Sequence, residues 1–566
     1  MSHEPPLVVQ ADRTVLLETQ HPGYEAARER LARFAELEKS PEYVHFYKIT
    51  PVSVWNAAAL GERVEDVEAW LVRNSRFPVA PQVLAQLREW FRRYGLLRLK
   101  SAPGGRLRLE SADAEVLAKV AESPKLAGLL REDGEGRFSA AAGDRGVLKQ
   151  ALVKLGYPVD DRAGYRAGAK LPFTWRTESL SGRTFGLRDY QEAAAQAFHA
   201  GGTDAGGCGV VVLPCGAGKT VVGIAAIQLL QVNALVLTTN TVAVRQWVRE
   251  ILDKTTLTED QVGEYTGEQK TIRPVTVATY QILTHRKEKL GGFTHLDLFD
   301  RGDWGLIVYD EVHLLPAPVF RATAGIQARR RLGLTATLVR EDGLADEVFS
   351  LIGPKRHEVQ WKLLEKRGFL ATAQCNEVRV GMNEERAQRY ARSGSRDQFR
   401  VASDNERKLD VLGNLLRIHA RDRVLVIGQY LEQLEQMARV FQLPLITGQT
   451  PNAERDRLYA AFRKGELPRL IVSKVGNFAV DLPDANVAIQ VSGTFGSRQE
   501  EAQRLGRILR PKGEGVMAHF YSLVTADTRE QEFARKRQLF LTEQGYAYAI
   551  LGAGEVAAMV KQEERA

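Results

Sequence analysis

Val210-Val-Val-Leu-Pro-Cys-Gly-Ala-Gly-Lys-Thr-Val-Val222 carries an apolar strand, Val210 to Leu213, through a glycine-bearing turn into an apolar helix opened by Lys219 and Thr220. That context makes a phosphate-binding loop. The first N–H groups of the helix can surround a phosphate, and the helix dipole favours its negative charge. Pro214, Cys215, Gly216, Ala217, Gly218, Lys219 and Thr220 are therefore candidate nucleotide-binding residues. Gly216 and Gly218 allow close backbone approach, Lys219 reaches the β/γ-phosphates, and the Thr220 hydroxyl can ligate Mg²⁺. The strict pattern asks for glycine where Leu213 stands, so the shorter Gly-x-Gly-Lys-Thr form needs support from elsewhere in the chain.

Support comes downstream. Gly305 to Tyr309 reads as a buried strand and ends in Asp310-Glu-Val-His313. At the carboxyl end of a parallel strand, Asp310 can hold Mg²⁺ through water. Glu311 can then orient and deprotonate an attacking water. Leu334-Thr-Ala-Thr337 follows the next strand, and the hydroxyls of Thr335 and Thr337 can sense the phosphate end; simple capping of the strand end is the plainer alternative. Upstream, Leu187-Arg-Asp-Tyr-Gln191 offers Arg188 and Gln191, the latter with an amide suited to an adenine edge. Near the other end, Gln503, Arg507 and Arg510 fall at i, i+4 and i+7 of an expected helix and share a face. Guanidinium groups so placed can neutralise charge in a phosphoryl-transfer transition state. Ser473 to Gly476 and Asp481 are expected to line the same cleft.

Around these motifs the chain organises itself. With 566 residues it is too long for one core, and roughly three to five domains are expected. Val8 to Leu17 reads as one initial strand, Tyr24 to Leu37 as a helix, and Thr50-Pro51 as an N-cap followed by proline at the first helical position. Val83, Leu84, Leu87, Trp90 and Phe91 make one apolar helix face closed by Gly95. A hairpin, Leu96 to Lys100 with Arg106 to Glu110, follows. Helices followed by a hairpin fit a winged helix, with Arg88, Arg92 and Arg93 as a basic face; a solvated amphipathic helix fits equally well. Asp144 to Leu155 is helical and ends at Gly156, and Tyr157 to Phe185 reads as linker.

From Phe185 onward short apolar strands alternate with amphipathic helices, the pattern of a parallel sheet. One series of strands is expected at Gly209–Leu213, Ala234–Thr238, Val275–Ala278, Gly305–Tyr309 and Arg331–Leu334. A second is expected at Val424–Ile427, Leu443–Ile446, Arg469–Val472 and Val487–Val491. Asn383 to Lys408, between the series, is charged and helical. Arg389, Arg392, Arg396 and Arg400 would align along one of its faces and could track nucleic-acid phosphates, or simply be solvated. The net charge of +8 fits a nucleic-acid partner without requiring one. Three scattered cysteines exclude a cluster held by four thiolates and point to a reducing compartment. Met1 to Thr14 has no apolar signal-peptide core, and no apolar run is long enough to span a bilayer, so a cytoplasmic protein with no membrane partner is expected.

Pro214 to Thr220, Asp310 to His313, Leu334-Thr-Ala-Thr-Leu-Val-Arg-Glu-Asp342, Ser473 to Gly476, Gln503 to Arg510 and the tail segment Lys536 to Tyr546 together resemble the XPB-type DNA repair helicases of superfamily 2, in their compact prokaryotic form. The resemblance covers about 185–550 and is weaker before that. It implies an α/β fold: two RecA-like parallel-sheet lobes with a small helical thumb-like insertion and N-terminal α+β domains. The expected division is 1–100 helical or winged-helix-like, 101–175 a damage-recognition-like unit and linker, 176–365 the first lobe, 366–410 the thumb, and 411–566 the second lobe. ATP- and Mg²⁺-dependent 3′→5′ unwinding of DNA, single-stranded or forked, is implied. Monomeric action near the nucleoid and a nuclease or other repair partner are separate expectations. Arg340-Glu341-Asp342 would help to open the duplex, although three charges after a strand can also be a solvated loop. An RNA helicase, a duplex translocase and an ATP-gated DNA clamp remain alternatives, and Glu311 argues against the clamp because a clamp needs no hydrolytic base.

Overall fold

The computed structural model describes residues 4–39, 43–134, 136–141, 144–161, 168–202, 206–214, 216–283, 285, 294–295, 298–312, 330–336, 348–349, 351–359, 361–473, 485–493, 517–543 and 546–563. By contacts the chain divides into two compact units, residues 1–213 with 218–358, and residues 214–217 with 359–566.

The chain opens on antiparallel structure. Leu7–Val9 (β1), Thr14–Glu18 (β2), Glu36–Lys39 (β3) and Val44–Lys48 (β4) form a sheet of order β1-β2-β4-β3. The single strand expected over Val8 to Leu17 is a hairpin instead. Asp12 accepts the Thr14 N–H at 3.1 Å, a side-chain-made turn that breaks the apolar run, and Arg13 takes a positive φ of 72°. The helix expected over Tyr24 to Leu37 stops at Leu31, and the residues beyond it supply β3. At Thr50-Pro51 the cap is as expected. The Ser53 N–H donates to Thr50 Oγ1 and the Thr50 N–H to Ser53 Oγ, starting the helix Pro51–Ala59.

The hairpin of Leu97–Ala102 (β5) and Arg106–Ser111 (β6) is not a wing on the helices before it. With Arg131–Glu132 (β7), Phe138–Ala141 (β8) and Val159–Asp161 (β9) it forms a separate sheet, β7-β8-β6-β5-β9. Leu97, Leu99, Leu107 and Leu109 point inward from the hairpin onto Leu148 and Leu152 of the helix Arg145–Lys154. That apolar face, buried by its own sheet, is why the hairpin joins the residues after it. Tyr157 to Phe185, read as linker, is partly tied down: Leu171 and Phe173 donate backbone N–H groups to Gln231, and Arg176 to the Lys254 carbonyl. They thereby satisfy carbonyl and side-chain acceptors at the ends of two helices.

The first lobe is a seven-stranded, all-parallel sheet of Cys208–Val212 (β10), Ala234–Thr238 (β11), Val262–Tyr265 (β12), Val275–Thr279 (β13), Leu306–Asp310 (β14), Arg330–Thr335 (β15) and Lys355–Glu358 (β16). Its order is β12-β13-β11-β14-β15-β10-β16. The five strands read from sequence are all present, while β12 and β16 were not anticipated. β16, Lys-Arg-His-Glu, is an edge strand with no apolar residue to mark it. It is covered by the N-terminal region: the Lys355 N–H donates to Asn56 Oδ1 at 3.1 Å, and Trp55 packs with Phe349.

The second lobe repeats the plan. Ala373–Val380 (β17), Val424–Gly428 (β18), Leu445–Ile446 (β19), Arg469–Ser473 (β20), Val487–Gln490 (β21), Ala518–Thr525 (β22) and Ala547–Gly552 (β23) lie parallel in the order β19-β20-β18-β21-β22-β17-β23. β17 falls within 366–410, the span assigned to the thumb, yet it pairs in this sheet, between β22 and β23.

The helical stretch after β17 is broken. Glu384–Arg392 and Ser395–Ser403 are separate helices, because Ser393 and Gly394 are both extended, with ψ of 145° and 161°. Arg389 and Arg392 therefore stand on one helix and Arg396 and Arg400 on another, and the expected single face of four arginines does not exist. Gly394, the weakest helix former among these residues, sits at the break. Behind these helices lies a buried ion pair. Lys408 Nζ donates to both carboxylate oxygens of Glu530, at 3.1 and 2.9 Å, and to the Val491 carbonyl at 3.0 Å. Glu530 also accepts from Ser403 Oγ and the Thr525 N–H.

Removing one partner of such a pair strands a charge in the core. Lys408→Met or Glu530→Leu alone is expected to destabilise the second unit by about 3–5 kcal/mol, and the double variant to recover much of the loss. Chemical denaturation followed by hydrogen exchange in β22 reads the effect. Single variants within about 1 kcal/mol of the parent would contradict it.

Candidate active site

Sheet order brings the chemistry together. β14, β15 and β10 are adjacent, so residues far apart in sequence leave the sheet side by side at its carboxyl edge. Val212 pairs with Thr335, and Asp310 pairs with Leu334. The Leu213 N–H donates to the Thr335 carbonyl at 2.9 Å, which ties the start of the phosphate loop to the strand that carries the expected sensor.

Beyond Leu213 the loop turns through Gly216, φ 80°, and Gly218, φ 83°, both in the left-handed region that favours glycine. The Ala217 N–H donates to the Pro214 carbonyl at 3.1 Å. Helix Lys219–Leu230 starts immediately, with Gly218, which has no side chain to cap it, as its N-cap. Its first N–H groups, the Lys219 ammonium and the Thr220 hydroxyl fit a phosphate and its cation. The approach at Gly218 is tight, since a Cβ there would lie 2.5 Å from Gln191 Nε2. Gln191 is buried, and its Oε1 accepts the Arg188 N–H at 3.1 Å. Arg188 Nη1 donates to the Tyr190 hydroxyl. Gln191 thus braces the loop in this state.

Lys219 Nζ lies 3.1 Å from Glu311 Oε1, and both side chains are largely buried. Glu311 sits in the left-handed region at φ 50°, which is costly for a residue with a side chain and is the kind of strain that collects at functional positions. Beside it, Asp310 Oδ2 accepts the indole N–H of Trp247 at 2.9 Å, and the Asp310 carbonyl accepts the Tyr280 hydroxyl at 2.8 Å. Burial, and then the charge of Glu311, push the Asp310 carboxyl up to about 6, against the opposing pull of Trp247 and Lys219. Burial also raises the Tyr280 phenol well above its usual range, so it remains a donor.

Comparison with known proteins agrees with this geometry. The description "ERCC3/RAD25/XPB C-terminal helicase" matches residues 364–565, "Type III restriction enzyme, res subunit" matches 184–340, and "Helicase conserved C-terminal domain" matches 7–134. A DNA 3′-5′ helicase XPB of Mycobacterium tuberculosis is 50% identical over 97% of this chain and 98% of its own length. The chain belongs to the XPB helicase family. The XPB helicase of Kineococcus radiotolerans is likewise 50% identical, over 97% of both chains. A helicase/translocase subunit XPB of the general transcription and DNA repair factor IIH, from Antonospora locustae, is 34% identical over 98% of this chain and 82% of its own.

Of the residues expected in this XPB-family site, Pro214, Gly216, Ala217, Gly218, Lys219, Thr220, Arg188, Gln191, Asp310, Glu311 and Thr335 lie in the described structure, and Lys219, Glu311 and Asp310 come together. Cys215, His313, Thr337, Arg340, Glu341, Asp342, Gly476, Asp481, Gln503, Arg507 and Arg510 lie outside the described residues. On the broken helices Arg389 and Arg392 are exposed, the Arg396 side chain is outside the described part, and Arg400 pairs with Glu432 at 2.7 Å. Trp247 and Tyr280 were missed by sequence reasoning. Their apolar bodies read as core, and nothing in their spacing reveals that their polar atoms reach Asp310.

A carboxyl raised to about 6 is ionised above that value and protonated below it, so a cation must displace a proton at acid pH. The Mg²⁺ concentration giving half-maximal ATP hydrolysis is expected to be flat above about pH 7 and to rise towards 10-fold per unit below about pH 6. A constant value down to pH 5 would contradict the assignment to Asp310.

Proposed function

We propose that this XPB-family chain is an ATP-dependent DNA helicase that couples ATP hydrolysis to 3′→5′ movement and duplex opening in DNA repair. The observation that carries the chemical half is the contact of Lys219 with Glu311 beside half-buried Asp310 at the phosphate loop. The Lys219 ammonium lies against the Glu311 carboxylate and compensates its charge. An ATP phosphate offers Lys219 a stronger, doubly anionic partner, and its transfer would free Glu311 to hold the attacking water and take its proton.

Mg²⁺ would be held at Thr220 and, through water, at Asp310, where it supplies charge neutralisation on the β/γ-phosphate oxygens. Gln191 and Arg188 are proposed for the adenine side, with Gly476 and Asp481 lining the cleft. Gln503, Arg507 and Arg510 are proposed as the groups that neutralise transition-state charge. Thr335 and Thr337, with His313, would pass the phosphate state to Arg340, Glu341 and Asp342 at a fork. Arg389 and Arg392 are proposed to meet DNA phosphates, a sequence-independent contact that salt would weaken. A nuclease or another repair factor is the proposed partner, and the nucleoid the proposed place of action.

Lys219→Ala should abolish ATP hydrolysis while single-stranded DNA binding persists. Glu311→Gln should bind ATP and hydrolyse it at least roughly 100-fold more slowly, since an amide cannot take the proton. Steady-state ATPase assays with DNA, run beside strand displacement of a 3′-tailed duplex, check both. Near-parental turnover in either variant would refute the site. Equal stimulation by RNA and DNA would refute the substrate.

A further inference from the structure

Trp247 belongs to the helix Thr241–Lys254, which starts where Asn240, just after β11, caps it by accepting the Ala243 N–H at 2.9 Å. Val244, Trp247 and Ile251 form its buried face. An indole on such a face would ordinarily be packing alone, yet this one has a polar end and a shaped socket. The polar end is the 2.9 Å bond to Asp310 Oδ2. The socket is made by Gly223, one turn after Lys219 in the phosphate-loop helix. A Cβ at Gly223 would lie 2.3 Å from Trp247 Cη2 and 3.1 Å from Leu334 Cδ1. Glycine in a helix interior costs about 1 kcal/mol relative to alanine. Here that cost makes room for the ring. One side chain therefore touches the phosphate-loop helix and the last residue of β14, and Leu334, in the strand that ends in Thr335, lies against the same glycine.

We propose that Trp247, seated on Gly223, is a positioning residue for the metal site: it holds Asp310 by one oxygen, Oδ2, so that Oδ1 is presented in a fixed orientation towards the cation, in register with Lys219 and Thr220. This inference rests on the nucleotide-site reading above. The Asp310 carboxylate also takes the Glu311 backbone N–H. With the indole N–H as a second donor, held in its socket, the carboxylate is kept in one plane; both oxygens are acceptors, so the ring fixes that plane instead of choosing between them. Outer partners of this kind typically affect metal affinity by about 10–100-fold. Gly223 is the counterpart on the other side of the ring and contributes by its missing Cβ alone.

The test separates metal binding from nucleotide binding. Mn²⁺ affinity of the full chain saturated with ADP is measured by electron paramagnetic resonance, and affinity for a fluorescent methylanthraniloyl-ADP is measured in EDTA. Trp247→Phe keeps an aromatic ring and removes the N–H. It should weaken Mn²⁺ binding roughly 10-fold or more, with metal-free nucleotide affinity unchanged within about twofold. Gly223→Ala should do the same with the indole intact, by pushing the ring aside, and it decides the matter if Trp247→Phe does not fold. Unchanged Mn²⁺ affinity overturns the proposal, as does a parallel loss of metal and metal-free nucleotide binding, which would make the ring simple packing. Failure of the parent chain to bind the fluorescent nucleotide at all would instead refute the nucleotide site itself.

Discussion

A carboxylate held in a place that does not suit its charge sets the terms for the first lobe. Asp310 stands at the end of a strand buried on both faces, next to a second carboxylate, Glu311, and its ionisation is pushed up to about 6. Two acids side by side in a half-buried site repel each other more strongly than they would in bulk water. The groups around them are arranged against that cost: the Lys219 ammonium on Glu311, the Trp247 N–H on Asp310, and the Tyr280 hydroxyl on the adjoining carbonyl. Each partner comes from a different element, and the β14-β15-β10 order of the sheet is what brings those elements within reach. Unfavourable electrostatics in the absence of nucleotide is what a site for a cation and a triphosphate requires.

The same sheet is anchored at its other end by charge. Asp161, the last residue of β9, takes Arg145 Nε at 2.9 Å and Lys149 Nζ at 2.9 Å, all three side chains nearly inaccessible. Burial opposes ionisation of Asp161, yet Lys149 and Arg145 hold it well below the usual carboxylate range. Arg331, in β15, donates to Cys208 Sγ of β10 at 3.5 Å and adds to the same field. β10 and β15 thus begin beside the unit of residues 97–161 and end at the phosphate loop.

Legibility in the sequence followed polarity. β10, β11, β14 and β18 are uninterrupted apolar runs, and they were found to within a residue or so at each end because a strand buried on both faces has no other composition available. β17 was hidden. Asn376 and Glu377 are buried inside it, and Glu377 is satisfied by the Tyr548 hydroxyl at 2.6 Å, a partner 171 residues away that no local pattern contains. β16 was hidden by its charges. The grouping of Lys219, Asp310 and Glu311 was legible because the pattern expected for phosphate and metal chemistry restricts residue type and spacing together. Trp247 was not, since its function depends on a contact between helix and strand. The arginine face failed for a simpler reason: periodicity was extended across Ser393-Gly394, where the backbone leaves the helix.

If Asp310 is kept ionised at a cost that only nucleotide and cation remove, its charge should destabilise the free protein. The sign follows from the raised value: an unfolded carboxylate ionises near 3.8 and this one near 6. The penalty is therefore absent below about pH 4, grows between the two values, and is fully present above about pH 7. The decisive measurement is the melting temperature of the parent and of Asp310→Asn across pH 4 to 8, with and without Mg²⁺ and ADP. The asparagine variant should melt higher at pH 8 without ligands, converge with the parent near pH 4, and lose the extra stabilisation that Mg²⁺ gives the parent with ADP. An asparagine variant that is less stable at pH 8, or one stabilised by Mg²⁺ as fully as the parent, would contradict the account.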